Sequence, residues 1–372
     1  MSVNAMKVSA ARALDVLKAG WRMQQEAGVR YSWMLHGRPG VGKTQVAEAL
    51  ARHLGGRLYD MRLTQIDTAD LRGLPYYDHA TRTTQWYRPQ DLPGDDAPAV
   101  LFLDEITAAS PLIQPTVYGL LQERRVGLHR IPDATMIVAA GNSVEDGAVA
   151  YEMGSALSDR LIHMVVVADP TDWLRSFAEP RDLHRAVMAF IRARPDMLET
   201  LAVSMEAGHV IAATPRSWER VSEIMKHVAD REARAVMIAG AVGAAVAADF
   251  LRVADDVAAL VSIETLLAAP KGRRAALYPE TLHGLNALTY GLVGWLGKET
   301  VGPALDCLIE IGDLRDLRPK SQALAQLPLR ELSTAGMELA IEKALKDGFA
   351  DKLIAHPGYG AYRDRRHAEG LA

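Results

Sequence analysis

Gly37-Arg38-Pro39-Gly40-Val41-Gly42-Lys43-Thr44 reads G-x-x-x-x-G-K-T without a mismatch, and no other stretch limits the possible folds of this chain so strongly. The pattern carries meaning only between a strand and a helix. Both signals are present: Tyr31-Ser32-Trp33-Met34-Leu35-His36 is a short apolar run of strand type, and residues 45–54 repeat apolar side chains at helical spacing. Glycines let the backbone wrap tightly with successive N–H groups pointing inward, and a helix starting there adds its positive end, so the loop is a cradle for phosphate. Residues 37–44 with the adjoining Gln45 are therefore expected to bind a nucleoside triphosphate, Lys43 reaching its β and γ phosphates and Thr44 ligating magnesium. A chance match somewhere in a chain of this length is about a one-in-a-hundred event.

The 372 residues leave room for two or more domains, each with its own core. Hydrophobic residues at 49% and charged residues at 24% exclude a disordered chain. Net charge is -4, so no field of the whole protein favours nucleic acid, and DNA as a partner would need a local basic patch. A single cysteine, Cys307, excludes an internal disulfide and a cysteine-rich zinc site and fits a reducing cytoplasm. Residues 1–6 lead into a helical pattern with no apolar run of signal length, and no segment approaches the ~18 apolar residues of a membrane span. The histidines, His283 and His356 included, have no ligand spacing, so no metal is expected beyond the nucleotide's magnesium.

Residues 5–27 read as an amphipathic helix ending at Gly28, and residues 58–63 as a second strand. Between residues 65 and 93 the pattern changes. A helical turn at 68–73 precedes two aromatic runs, 74–78 and 84–88, which form a hairpin inserted into an α/β unit. Its aromatic side chains either cap a core or project to touch a substrate. Residues 98–103 are apolar throughout, as in a strand buried on both faces of a parallel sheet, and Asp104-Glu105 falls at its carboxyl end, where such sheets bind ligands. Asp104 is expected to hold magnesium, and Glu105 to orient and deprotonate the attacking water.

A helix over 112–123 and a small hairpin over 124–131 lead to a strand over 135–140 that ends in Gly141-Asn142. An amide at that place either forms a turn or holds the lytic water against the γ phosphate. Residues 154–162 run into a last sheet strand over 163–168, with Arg160 just before it, which is either a solvated surface arginine or one that reaches a neighbouring subunit's γ phosphate. Asp169-Pro170 closes the α/β layer.

The remainder reads as helix, at 173–178, 182–193, 218–229, 234–248 and 255–267. Thr214-Pro215-Arg216 starts the third of these, and a cation at a helix start implies a bound anion. Residues 270–274 read as a basic linker, and helices follow at 280–296, 301–311, 321–325 and 332–345 before a tail rich in Gly, Tyr and Arg. The expected domains are 1–170, an α/β nucleotide-binding domain with the 65–93 insert; 171–269, a helical lid; and 270–372, a helical region of unassigned role.

Taken in order, the cradle, the Leu103-Asp104-Glu105 strand end, Asn142, Asp159-Arg160 before a strand and Thr214-Pro215-Arg216 opening a helix resemble the AAA+ ATPases. Within them the chain is similar to the MoxR group through Asp70-Leu71-Arg72-Gly73 with the aromatic hairpin and Arg88-Pro89, through Asp104-Glu105-Ile106 with Gln114 and Leu121-Gln122-Glu123-Arg124, and through the hairpin before the Asn142 strand. The likeness covers residues 30–230. Where the group often continues with Asn-Arg, this chain has Thr107-Ala108. The resemblance implies a P-loop NTPase (AAA+) parallel-sheet domain followed by an α-helical lid. It implies Lys43 and Thr44 as Walker A, Asp104 and Glu105 as Walker B, Asn142 as sensor 1, Arg160 as arginine finger and Arg216 as sensor 2. It further implies a hexameric ring with ATP and Mg2+ at subunit interfaces, a partner with a von Willebrand factor A domain, and a protein substrate that is remodelled or activated. The rival readings are an AAA+ DNA motor or loader, which the small clusters Lys271, Arg273, Arg274 and Arg363, Arg365, Arg366 argue against, and a nucleotide-gated scaffold with low turnover.

Overall fold

The computed structural model of the protein describes residues 3–142, 158–258 and 263–368. The chain divides into two compact units, the first formed by Met1–Pro180 with Glu199–Ser217 and the second by Arg181–Leu198 with Trp218–Ala372.

The first unit begins with β1 (Lys7–Val8), α1 (Ala10–Ala27), β2 (Ser32–His36), α2 (Lys43–His53), β3 (Arg57–Arg62) and α3 (Thr68–Arg72). It continues with β4 (Pro75–Asp78), β5 (Thr83–Trp86), β6 (Ala99–Asp104), α4 (Gln114–Glu123), β7 (Arg125–Val126), β8 (His129–Arg130), β9 (Thr135–Gly141) and β10 (Leu161–Val166). Six strands form a parallel sheet in the order β1-β10-β2-β9-β6-β3. Alternation along each strand splits the core in two. In β6, Val100 and Phe102 join the cluster that holds Leu17 of α1 and Leu50 of α2, whereas Leu101 and Leu103 join Val117 and Leu120 of α4. Both faces are covered, which is why these strands read as unbroken apolar runs.

Two expectations shift here. The first helix starts at Ala10 rather than residue 5, because Lys7 and Val8 pair with Val165 and Val166 as an edge strand and Ser9 then caps the helix by accepting from the Arg12 N–H. It ends at Gly28 in the left-handed conformation (φ 67°), as a helix stop of this kind requires. The last sheet strand spans Leu161–Val166 instead of 163–168, its register set by Leu161 against Ser32. Of the 154–162 segment, residues 154–157 lie outside the described residues.

The insert is an antiparallel hairpin of β4 and β5 on a short helix with a capping box between Asp67 and Asp70. Arg72 lies over the Trp86 ring at 4.9 Å, and Tyr76 stacks on Tyr87 at 4.5 Å. Leu74, Tyr77 and Tyr87 nevertheless stay largely exposed.

The second unit is helical. Its centre is a triad of rings, Phe190, Trp218 and Phe250, with centroids 5.3–5.6 Å apart, and the Trp218 indole donates to the Met197 carbonyl (2.8 Å). The helix expected over 234–248 is two helices, Arg231–Val242 and Ala244–Ala258, broken at Gly243 (φ 91°, ψ 149°). Of the helix expected over 255–267, residues 259–262 lie outside the described residues. The basic 270–274 stretch is a helical turn, Lys271–Arg274, rather than a linker. Arg274 is buried against Glu310 (3.2 Å) and Lys271 pairs with Asp306 (2.9 Å), so most of this charge is already compensated. The glycine-rich tail also continues as a helix, Pro357–Ala368.

Candidate nucleotide site

The buried strand β2 delivers the chain to Gly37, whose N–H donates to the Gly141 carbonyl (3.3 Å). Three glycines then take positive φ: Gly37 (152°), Gly40 (82°) and Gly42 (105°). Side chains would be strained at each. A Cβ on Gly40 would also come within 2.9 Å of the Thr214 hydroxyl, so the loop and the 214 segment touch through a glycine. Val41 anchors the loop in the core. Lys43, only 8% exposed, folds back over the loop. Its ammonium donates to the carbonyls of Gly37 and Arg38 (3.1 Å) and to Asn142 Oδ1 (2.8 Å). A buried cation beside a glycine-rich loop at a helix start supplies donors that a polyphosphate requires.

The carboxylates sit where the sequence places them, at the end of β6. Asp104 is its last residue, and Glu105 takes a left-handed conformation (φ 58°, ψ 32°) that turns the chain into a short 3-10 helix, Ile106–Ala108. Such a backbone is costly for a residue with a Cβ and is commonly found where a side chain must be aimed. The Glu105 N–H donates to Asp104 Oδ1 (2.9 Å), and the Glu105 carboxylate accepts from the Thr64 hydroxyl. Thr64 escaped the sequence reading; the available signal was a hydroxyl just past the end of the neighbouring strand β3. Burial, and then the charge of Asp104, push the carboxyl of Asp60 above the usual carboxylate range, which reports the negative field at this edge. The Thr44 hydroxyl and the Asp104 carboxylate are hard oxygen donors of the kind magnesium takes. Among the described residues no cluster of three or more His, Cys, Asp or Glu side chains offers another metal site.

Asn142 continues β9 by one residue, and its backbone is gripped by the Thr107 hydroxyl, which accepts from the Asn142 N–H (3.2 Å) and donates to its carbonyl (3.0 Å). Below the cradle lies a histidine pair. His163 Nε2 donates to the Ser158 carbonyl (2.8 Å), which leaves its Nδ1 to accept from His36 Nε2 (2.8 Å). Burial, the neighbouring His163 and the Lys43 charge lower the His36 pKa to about 4, so this residue is neutral beneath the phosphate loop.

Arg160 lies apart from that cluster. Arg160 is exposed and immediately precedes β10, which pairs in parallel with β2 from Leu161↔Ser32 onward. The cradle follows the other end of β2, so Arg160 stands one strand length from its own loop, about 15 Å. Arg216, also exposed, follows Thr214 and Pro215 at the helix start, where Thr214 and Ser217 bond each other's backbone N–H groups (3.2 and 2.8 Å). Arg38 pairs with Glu199.

A glycine-rich loop between a buried parallel strand and a helix, with an Asp-Glu pair on a neighbouring strand, defines an ATPase-type P-loop nucleotide-binding domain. Residues 32–161 match the family model of the AAA domain, dynein-related subfamily, within an α/β unit of P-loop parallel-sheet fold that helical regions follow. None of the curated proteins matches the chain. Solved structures similar to it include a candidate ATPase from Cytophaga hutchinsonii, at 14% identity and a TM-score of 0.34, covering 63% of this chain and 88% of that one. The RuvB Holliday junction branch migration motor of Thermotoga maritima is similar at 13% identity and a TM-score of 0.30, covering 88% of this chain and 86% of that one.

Proposed function

We propose that this chain is a MoxR-like AAA+ ATPase that hydrolyses ATP between the subunits of a homo-oligomeric ring in the cytoplasm and uses the energy to remodel or activate a protein. The observation that carries the reading is the bond from Lys43 to Asn142, with Glu105 on the adjacent strand β6, which puts phosphate-binding, base and amide groups at the carboxyl ends of neighbouring central strands. Lys43 and the backbone N–H groups of residues 40–45 bind the triphosphate. Magnesium, held by Thr44 and Asp104, would offset charge on the β and γ phosphates. Glu105 takes the proton of the attacking water as that water adds to the γ phosphorus, and Asn142 orients it. Arg160, a strand length from its own cradle, is suited to a neighbour's cradle, while Arg216, on the segment that touches Gly40, is suited to its own.

The exposed aromatic side chains of the 65–93 hairpin are the surface through which this reading couples turnover to a protein target. A partner with a von Willebrand factor A domain and six subunits rest on the sequence resemblance, and the division into lid (171–269) and C-terminal region (270–372) on the helical pattern of the sequence. No helix among the described residues is long and apolar enough to cross a membrane.

Replacing Glu105 by Gln keeps the shape and removes the base. Phosphate release by that variant should fall by roughly two orders of magnitude or more while its affinity for ATP stays within about twofold. Unchanged turnover would move the base to another residue.

A further inference from the structure

We infer that Thr107 is a positioning residue for hydrolysis, its hydroxyl fixing the peptide of Asn142 so that the carboxamide meets Lys43. The inference rests on the ATPase reading above and adds a residue to it.

Asn142 lies where the sheet has run out. On one side β9 pairs with β6 only as far as Leu103↔Ala139, and on the other its pairing with β2 ends at His36↔Gly141. Its N–H and C=O therefore have no strand to bond. The Thr107 hydroxyl takes that place with a single atom, accepting from the Asn142 N–H at 3.2 Å and donating to its carbonyl at 3.0 Å. A hydroxyl is among the few side-chain groups that give and receive at one atom. Thr107 is only 8% exposed, and its β-branched side chain has few rotamers, so the grip is narrow in direction. Gly141 makes the approach possible: a Cβ there would fall 2.7 Å from both Oγ1 and Cγ2 of Thr107.

The consequence follows from connectivity. Thr107 occupies the 3-10 turn whose first flanking residue is Glu105. One turn thus carries the proposed base on one side and the grip on Asn142 on the other, and Asn142 in turn bonds Lys43 at 2.8 Å. The base, the amide and the phosphate-binding lysine form a linked set through Thr107.

The test uses the full chain with three substitutions. Thr107→Val keeps the shape and removes both bonds; Thr107→Ser keeps the hydroxyl; Thr107→Ala removes the bonds with less bulk and serves should the valine variant not fold. The expected result is a kcat reduced about tenfold or more in Thr107→Val with KM within about twofold, and a kcat within about threefold of the unaltered chain in Thr107→Ser. Without nucleotide, hydrogen exchange at the Asn142 amide should quicken about tenfold in the valine variant and stay slow in the serine one. Unaltered kcat and exchange in Thr107→Val, or a serine variant as slow as the valine one, overturns the inference. No turnover by the unaltered chain instead overturns the ATPase reading, and the inference falls with it.

Discussion

Lys43 and His36 share one structural problem, a basic side chain buried beside another. Lys43 is set among oxygen acceptors, whereas burial, the neighbouring His163 and the Lys43 ammonium lower the pKa of His36. A histidine whose folded pKa is about 4 and whose unfolded value is 6.5 takes up its proton more readily in the unfolded chain. Its contribution to stability is therefore complete above pH ~6.5 and is lost as the pH falls from there towards ~4, a total of about 3 kcal/mol. Denaturant unfolding of the first unit, followed between pH 7 and pH 4, should show this loss, and a His36→Asn variant should show a shallower one. Equal slopes would mean that His36 charges freely in the folded protein. None of this was legible in the sequence, where His36 and His163 are 127 positions apart and each is an isolated histidine in an apolar strand. The same holds for Thr64 and Thr107, ordinary threonines until the strand ends bring them against Glu105 and Asn142.

Whole elements were easier to read. The cradle, β6 and β9 are local patterns, and a strand buried on both faces has to be apolar throughout, so sequence and structure agree on them to within a residue or two. Disagreement begins where composition hides geometry. In the alanine-rich 234–248 stretch, apolar periodicity runs through Gly243 without a break, but the backbone there takes φ 91° and ψ 149°, which a side chain resists. Gly243→Ala should accordingly cost about 1–3 kcal/mol in chemical unfolding of the second unit, despite alanine's better helix propensity. A gain in stability would mean that the break is incidental. The two-residue strand β1 was missed for another reason: its Lys7-Val8 pair is too short for any period, and only pairing with β10 makes it a strand.

At the scale of the molecule, hydrolysis as proposed needs more than one copy. Arg160 is separated from its own cradle by the length of β2, so if it meets a γ phosphate, that phosphate belongs to another subunit. The Glu105→Gln protein, if Glu105 is the base and ATP stays bound, should therefore shift in solution mass from one subunit to about six when ATP and magnesium are added. A mass fixed at one subunit would remove Arg160 from the chemistry. The most direct measurement mixes two variants, each lacking one half of the site. Arg160→Ala keeps Glu105, Glu105→Gln keeps Arg160, and both should be inactive alone. Mixed in equal amounts they should recover ATP hydrolysis, up to about a quarter of the unaltered rate if they combine at random and the sites act independently. Full turnover by Arg160→Ala alone, or a mixture no faster than its separate parts, would contradict hydrolysis between subunits.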